Sequence, residues 1–169
     1  MKIPHLNTLF ILLFCLASFE AGTAQVQGSA QQGVEVSSHA SGPFDVKVTP
    51  QDDKTGDSAL GRFALDKQYH GDLEAVGKGQ MLTAKTETKG SGAYVAIERV
   101  TGTLKGMQGG FVLQHSGTMT QNTPQLKITI VPDSGTGQLK GISGKMKINI
   151  SPDGKHSYEL EYTLADTHE

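Results

Sequence analysis

The chain has 169 residues, which is enough for one domain and short for two. Its 15 basic and 17 acidic residues leave a formal net charge of -2, which excludes a polybasic arm or an acidic tail; with no basic stripe, it also argues against a nucleic-acid partner. Gly accounts for 21 residues without a G-X-Y period, so it marks tight turns rather than collagen, and a single Cys excludes a disulfide framework or a four-Cys zinc site.

Met1 to Ala24 has the three parts of a secretory signal: Lys2, the apolar run Leu9 to Leu16, and the small residues Ala21-Gly22-Thr23-Ala24. The run is shorter than the roughly 20 residues of a membrane span, and Glu20 follows it. The mature chain is therefore expected to carry no membrane span. Cleavage after Ala24 leaves 145 residues (169 minus 24) and removes Cys15, the only thiol. A thiol-free chain suits an oxidising compartment, so the expected location is secreted or periplasmic. Gln25 to Gly42 is rich in Gln, Ser and Gly and reads as a flexible lead-in in which His39 is solvated. The domain proper is expected over residues 43–165.

From Phe44 the period is two. Phe44, Val46 and Val48 alternate with Asp45, Lys47 and Thr49 before a loop at residues 50–57. Strands are expected over 62–76 and 80–88, on either side of a turn at Gly77-Lys78-Gly79. Further strands are expected at 93–104, 109–120, 126–130, 146–150 and 158–164. Gly90-Ser91-Gly92, Gly109-Gly110, residues 121–124, Asp133-Ser134-Gly135 and Pro152-Asp153-Gly154 supply turn signals between them. Connections this short favour antiparallel neighbours. About eight strands with one apolar face form either a sandwich or a barrel. A single antiparallel closed β-barrel is favoured, because closure removes sheet edges and the glycines at 71, 102 and 117 suit the bends it needs. A barrel of this size is filled by side chains or holds one small ligand.

The segments Tyr94 to Met119, Thr129 to Gly144 and His156 to Leu164 carry a family resemblance. Within them, Ile97-Glu98-Arg99-Val100-Thr101-Gly102 and Phe111-Val-Leu-Gln-His-Ser-Gly117 are the most specific stretches. They closely resemble the bacterial family known as domain of unknown function 3224, from about Gly42 to Leu164. The resemblance implies a small antiparallel barrel akin to allene oxide cyclase and, more loosely, to lipocalins. It implies no established activity and no catalytic residue. The chain departs from the pattern in its leader, and in Asp133 where the turn would be expected to carry Gly.

The candidate site residues are those that parity can place inside the barrel. Glu98 and Arg99 point to opposite faces: one phase buries Tyr94, Ala96 and Glu98, the other Val95, Ile97 and Arg99, and the pattern alone leaves both open. A carboxylate in the lumen is a candidate acid or base, whereas a carboxylate in a structural charge pair is not. His115 shares parity with Phe111 and Leu113 and needs a partner there, with Glu98 or a Tyr as candidates. Tyr69 and Tyr158 share parity with apolar neighbours and can either orient a ligand or pack with their hydroxyls tied off. Glu98, His115, Tyr94, Tyr69, Phe111 and Tyr158 are thus the expected lining of a ligand site. No metal is expected, since His70, His115 and His156 have no short ligand spacing. No cofactor motif is present either: Gly135-Thr136-Gly137 precedes no helix.

Two readings follow. In the first, an exported barrel binds a small apolar molecule, with a homodimer left open. In the alternative, a cyclase or isomerase works in the same cavity; that rests on fold analogy alone. Glu98→Gln and His115→Ala are expected to leave folding intact and weaken ligand retention.

Overall fold

Alternation of apolar and polar residues carries into nine strands of a computed structural model that describes residues 37–52 and 54–165. They are β1 (Ser38–Gln51), β2 (Leu60–Tyr69), β3 (Leu73–Lys85), β4 (Gly92–Leu104), β5 (Met107–Thr120), β6 (Thr123–Ile130), β7 (Thr136–Gly137), β8 (Ile142–Ile150) and β9 (His156–Leu164). The expected signal at 1–24, and the expected lead-in as far as residue 36, lie outside the described residues. No helix occurs among the described residues, and so none is long and apolar enough to cross a membrane.

The strands follow one another as β4-β3-β2-β1-β9-β8-β6-β5, and β4 pairs back onto β5, closing the sheet. Every pairing is antiparallel, as short connections require. The result is an eight-stranded closed barrel with the two-residue β7 as an added piece on β5. One end, called lower here, holds the turns at residues 70–72 and 105–106, the start of β1 and the end of β9. The upper end holds the connections 86–91, 121–122 and 151–155 and the described residues of 52–59.

The lower end is packed solid. Leu73, Leu104, Phe111, Leu139 and Ile142 are all buried to 2% exposure or less. The segment 131–141 makes this possible. β6 and β8 pair only at Ile128↔Met146 and Thr129↔Lys145. Below that seam, segment 131–141 fills the gap, pairs Thr136 and Gly137 with Gly110 and Gly109, and drives Leu139 into the core. Ser134 anchors it, its hydroxyl accepting from Val112 N at 3.0 Å and donating to Val131 O at 2.6 Å. Asp133 adopts φ 58°, the left-handed conformation that favours Gly, so the turn keeps its geometry with an Asp in place of the expected Gly.

Four local expectations need correction. β1 starts at Ser38, so the last five residues of the expected lead-in are barrel strand paired to β9 from Ser38↔Tyr162 to Gly42↔Tyr158; His39 is exposed there, as expected. The turn between β2 and β3 is at His70-Gly71-Asp72, not Gly77-Lys78-Gly79. Gly71, expected at a mid-strand bend, is therefore a turn residue with φ 92°. The β4–β5 turn is Lys105-Gly106, and Gly109-Gly110 are strand. In each misplaced turn the glycines serve close packing between strands instead of reversal.

Candidate functional site

β2 places Lys67 between Leu65 and Tyr69 on the inward face, and its neighbours Asp66 and Gln68 face out. β4 runs with Tyr94, Ala96, Glu98 and Val100 inward, which settles its phase. β5 turns Phe111, Leu113 and His115 inward. Three polar side chains thereby meet in the lumen: Lys67, Glu98 and His115 are 5%, 0% and 2% exposed.

Charges buried this deeply must be paired, because losing water costs several kcal/mol per ion. Lys67 Nζ donates to Glu98 Oε2 at 2.7 Å and to Tyr69 Oη at 3.2 Å. Tyr69 Oη donates to Glu98 Oε1 at 2.7 Å. The ammonium also faces the Phe44 ring, 5.2 Å from its centroid. His115 Nε2 stands 3.1 Å from Glu98 Oε2, close enough for charge contact but off the line that a hydrogen bond needs. It is a fully buried ring nitrogen without a hydrogen-bond partner.

Burial alone pushes the Glu98 carboxyl up. The adjacent His115 ring, the Lys67 charge and hydrogen bond, and the Tyr69 hydroxyl together outweigh it and hold the carboxyl below its ordinary value. Burial first, then the Glu98 charge and hydrogen bond, push the Tyr69 phenol far above the usual range, so it stays a donor. Burial and then Glu98 also raise Tyr94.

The glycines misread as a turn make room for this cluster. Gly77 and Gly79 lie inward on β3, across from Val100 and Glu98. A methyl group at Gly77 would come 2.1 Å from Glu98 Oε1, and one at Gly79 would come 2.5 Å from Ile97 O. The carboxylate occupies the space left at Gly77, and Gly79 lets the β4 backbone at Ile97 and Glu98 come close.

Above the cluster the barrel is open. An apolar hollow of about 530 Å³ is lined by Met81, Tyr94, Met119, Leu126 and Ile150 among others. Tyr94 lies across its register partner Gly117, where a Cβ would stand 2.2 Å from the ring. His115 comes two residues below Gly117 on the same face. Tyr94 and His115 therefore mark the boundary between the hollow and the charges.

The other expected lining residues fall below that boundary. Phe111 is fully buried in the lower core. Tyr158 meets Tyr69 edge-on with centroids 5.5 Å apart, and its hydroxyl accepts from Leu73 N at 2.9 Å and donates to His70 O at 3.1 Å. It braces the β2–β3 turn. Of the six expected residues, Glu98, His115 and Tyr69 come together, Tyr94 caps them, and Phe111 and Tyr158 lie in the packed end. Lys67 was missed, although its parity with Leu65 and Tyr69 is legible in the sequence. The expected tolerance of Glu98→Gln also needs correction, since that change leaves a buried ammonium beside a neutral amide.

A second hollow, of about 640 Å³, lies around Leu82, Val95 and Ile97, and its lining also includes Ala96 and His115. Among the described residues no group of three or more His, Cys, Asp or Glu side chains is placed to hold a metal ion.

A family model described as protein of unknown function (DUF3224) matches residues 40–162. The chain belongs to the DUF3224 family. A crystal structure of a DUF3224 protein of unknown function from Shewanella oneidensis MR-1 is 47% identical, with a TM-score of 0.74. The match covers 78% of this chain and all of that one. A search of curated proteins finds no match.

Proposed function

We propose that this DUF3224 barrel is an exported binding protein that holds a small, mostly apolar molecule in its upper hollow. The observation behind this reading is the open apolar space of about 530 Å³ directly above a buried polar cluster. Ligand pockets share that composition: apolar walls and a few fixed polar groups that set orientation. The lumen is complete in one copy, so the reading needs no homodimer. Export rests on the leader-like residues 1–24 and a remainder without thiols.

The cyclase or isomerase alternative has less support. A general base must be reachable and basic enough to take a proton, and Glu98 is fully buried with its carboxyl held below its ordinary value by His115, Lys67 and Tyr69. A buried carboxylate neutralised in this way orients its neighbours better than it relays protons.

Uptake of the fluorescent apolar probe N-phenyl-1-naphthylamine by the purified protein tests the binding reading, with native mass spectrometry of the protein as isolated. A saturable fluorescence rise that Ile150→Glu abolishes supports it. Absence of any rise overturns it.

A further inference from the structure

The upper hollow is apolar along its walls and charged at one point of its rim. Met81, Met119, Leu126 and Ile150 stand in its lining, and among the described residues Lys85 is the only charged residue that does. Lys85 ends β3 and shares parity with Met81 and Thr83, which places it on the inward face at the mouth. Its backbone is fixed on both sides: Lys85 N donates to Ala59 O at 2.8 Å, and Gly92 is its register partner. The side chain is exposed, and among the described residues no carboxylate or other acceptor holds its ammonium. The acids of the described mouth connections are placed elsewhere. Asp57 accepts from Ala59 N in its own turn, and Asp153 pairs with Lys155 at 2.9 Å. Asp52 and Glu87 stand outside the lining, as do the cations Lys54 and Lys89.

The floor offers a polar group nothing comparable. Lys67, Glu98 and Tyr69 satisfy one another, and His115 Nε2 is buried against Glu98. None of these four belongs to the lining, and on that side the hollow meets Tyr94 and Gly117. A charged head pushed to the floor would lose its water and gain no partner. At the mouth it keeps part of its water, and the flexible four-carbon stem of Lys85 lets the ammonium move to meet it.

Resting on the binding reading above, we infer that the guest is a single-chain amphiphile with an anionic head, such as a carboxylate. The alkyl tail enters first, towards Tyr94, and the head stays at the rim on the Lys85 ammonium. A cationic head meets a like charge there, so an alkyl amine of equal length is the poorer guest.

The test uses the full chain loaded with N-phenyl-1-naphthylamine at pH 7 and displaced by undecanoate, 2-undecanone or undecylamine, each below its micelle concentration. Undecanoate is expected to displace the probe at a concentration about fivefold lower than undecylamine, with the uncharged ketone between them. The strand bonds of residue 85 are made by its backbone, so Lys85→Met keeps the fold and probe uptake while the difference between the two ions disappears. Lys85→Glu reverses the order, and Lys85→Arg keeps it. If undecylamine competes as well as undecanoate in a chain that takes up probe, or if the preference persists in Lys85→Met, the inference fails and the binding reading survives. Failure to take up the probe at all defeats both.

Discussion

The two halves of the barrel are built by the same alternation and end in opposite states. Below Glu98 the inward side chains meet one another: Leu104 and Phe111 are wholly buried, and segment 131–141 adds Leu139 from outside the eight strands. Above Tyr94 the inward positions continue with Met119, Leu126 and Ile150, yet these are 41%, 43% and 65% exposed. Their residue types would suit a core as well. Among the described residues the upper end has no inserted plug like 131–141: its connections at 86–91, 121–122 and 151–155 are short and polar, and the described residues of 52–59 are exposed except the half-buried Ala59. Strand pattern makes the wall, and whether the space inside is filled depends on a loop.

Four changes should sharpen or break that contrast. The largest effect is expected at the boundary. Lys67→Met leaves Glu98 ionised, buried and short of its cation, and should cost about 3–5 kcal/mol in urea unfolding. Adding Glu98→Gln should recover much of that loss; a double variant no better than Lys67→Met would show that the pair is not a unit. In the lower half, Phe111→Ala should cost about 3–5 kcal/mol by the same assay, because the surrounding packing cannot collapse onto the void. A cost under about 1 kcal/mol there would mean the lower end is not the solid body described.

The third change is in pH. Glu98 titrates below its ordinary value of 4.5 when folded, so between those two points the unfolded chain binds more protons. Its contribution is present above about pH 4.5 and is lost as the pH falls through the lower, folded value, at no more than about 1.4 kcal/mol per pH unit. Tyr69 has the opposite sign. Its contribution is whole below its ordinary 10.0 and fades as the pH rises beyond it. Stability measured against pH should therefore fall off at both margins, and Lys67→Met/Glu98→Gln should flatten the acid side. An unchanged acid limb would remove Glu98 from the account. The smallest effect belongs to the mouth: Ile150→Ser should alter stability by less than about 0.5 kcal/mol while weakening probe uptake. A large loss of stability would show that the upper end is core after all.

Much of this architecture is legible in the residues, and where it is not the cause is physical. Alternation in Tyr158, Leu160 and Tyr162 against Glu159 and Glu161 marks β9 plainly, since one face is apolar and the other charged. β4 resists the same treatment because its outer face carries Val95 and Ile97, next to Leu82 of β3. A strand greasy on both faces has no readable phase, so Glu98 could not be assigned to the lumen from pattern alone. Gly77 and Gly79 mislead for a different reason. Glycine appears both where a chain reverses and where another group must come close, and only the position of the Glu98 carboxylate separates the two. Lys67 escapes because a lysine between Leu65 and Tyr69 looks like an exposed residue until its parity is taken at face value. The meeting of Lys67, Glu98 and His115 depends on register across four strands, which no local window contains.

Ser38 and Leu164, the first residue of β1 and the last of β9, both leave the cylinder at its plugged base. A linker joined directly to either of these strand ends would therefore meet the barrel at its floor, on the side away from the aperture.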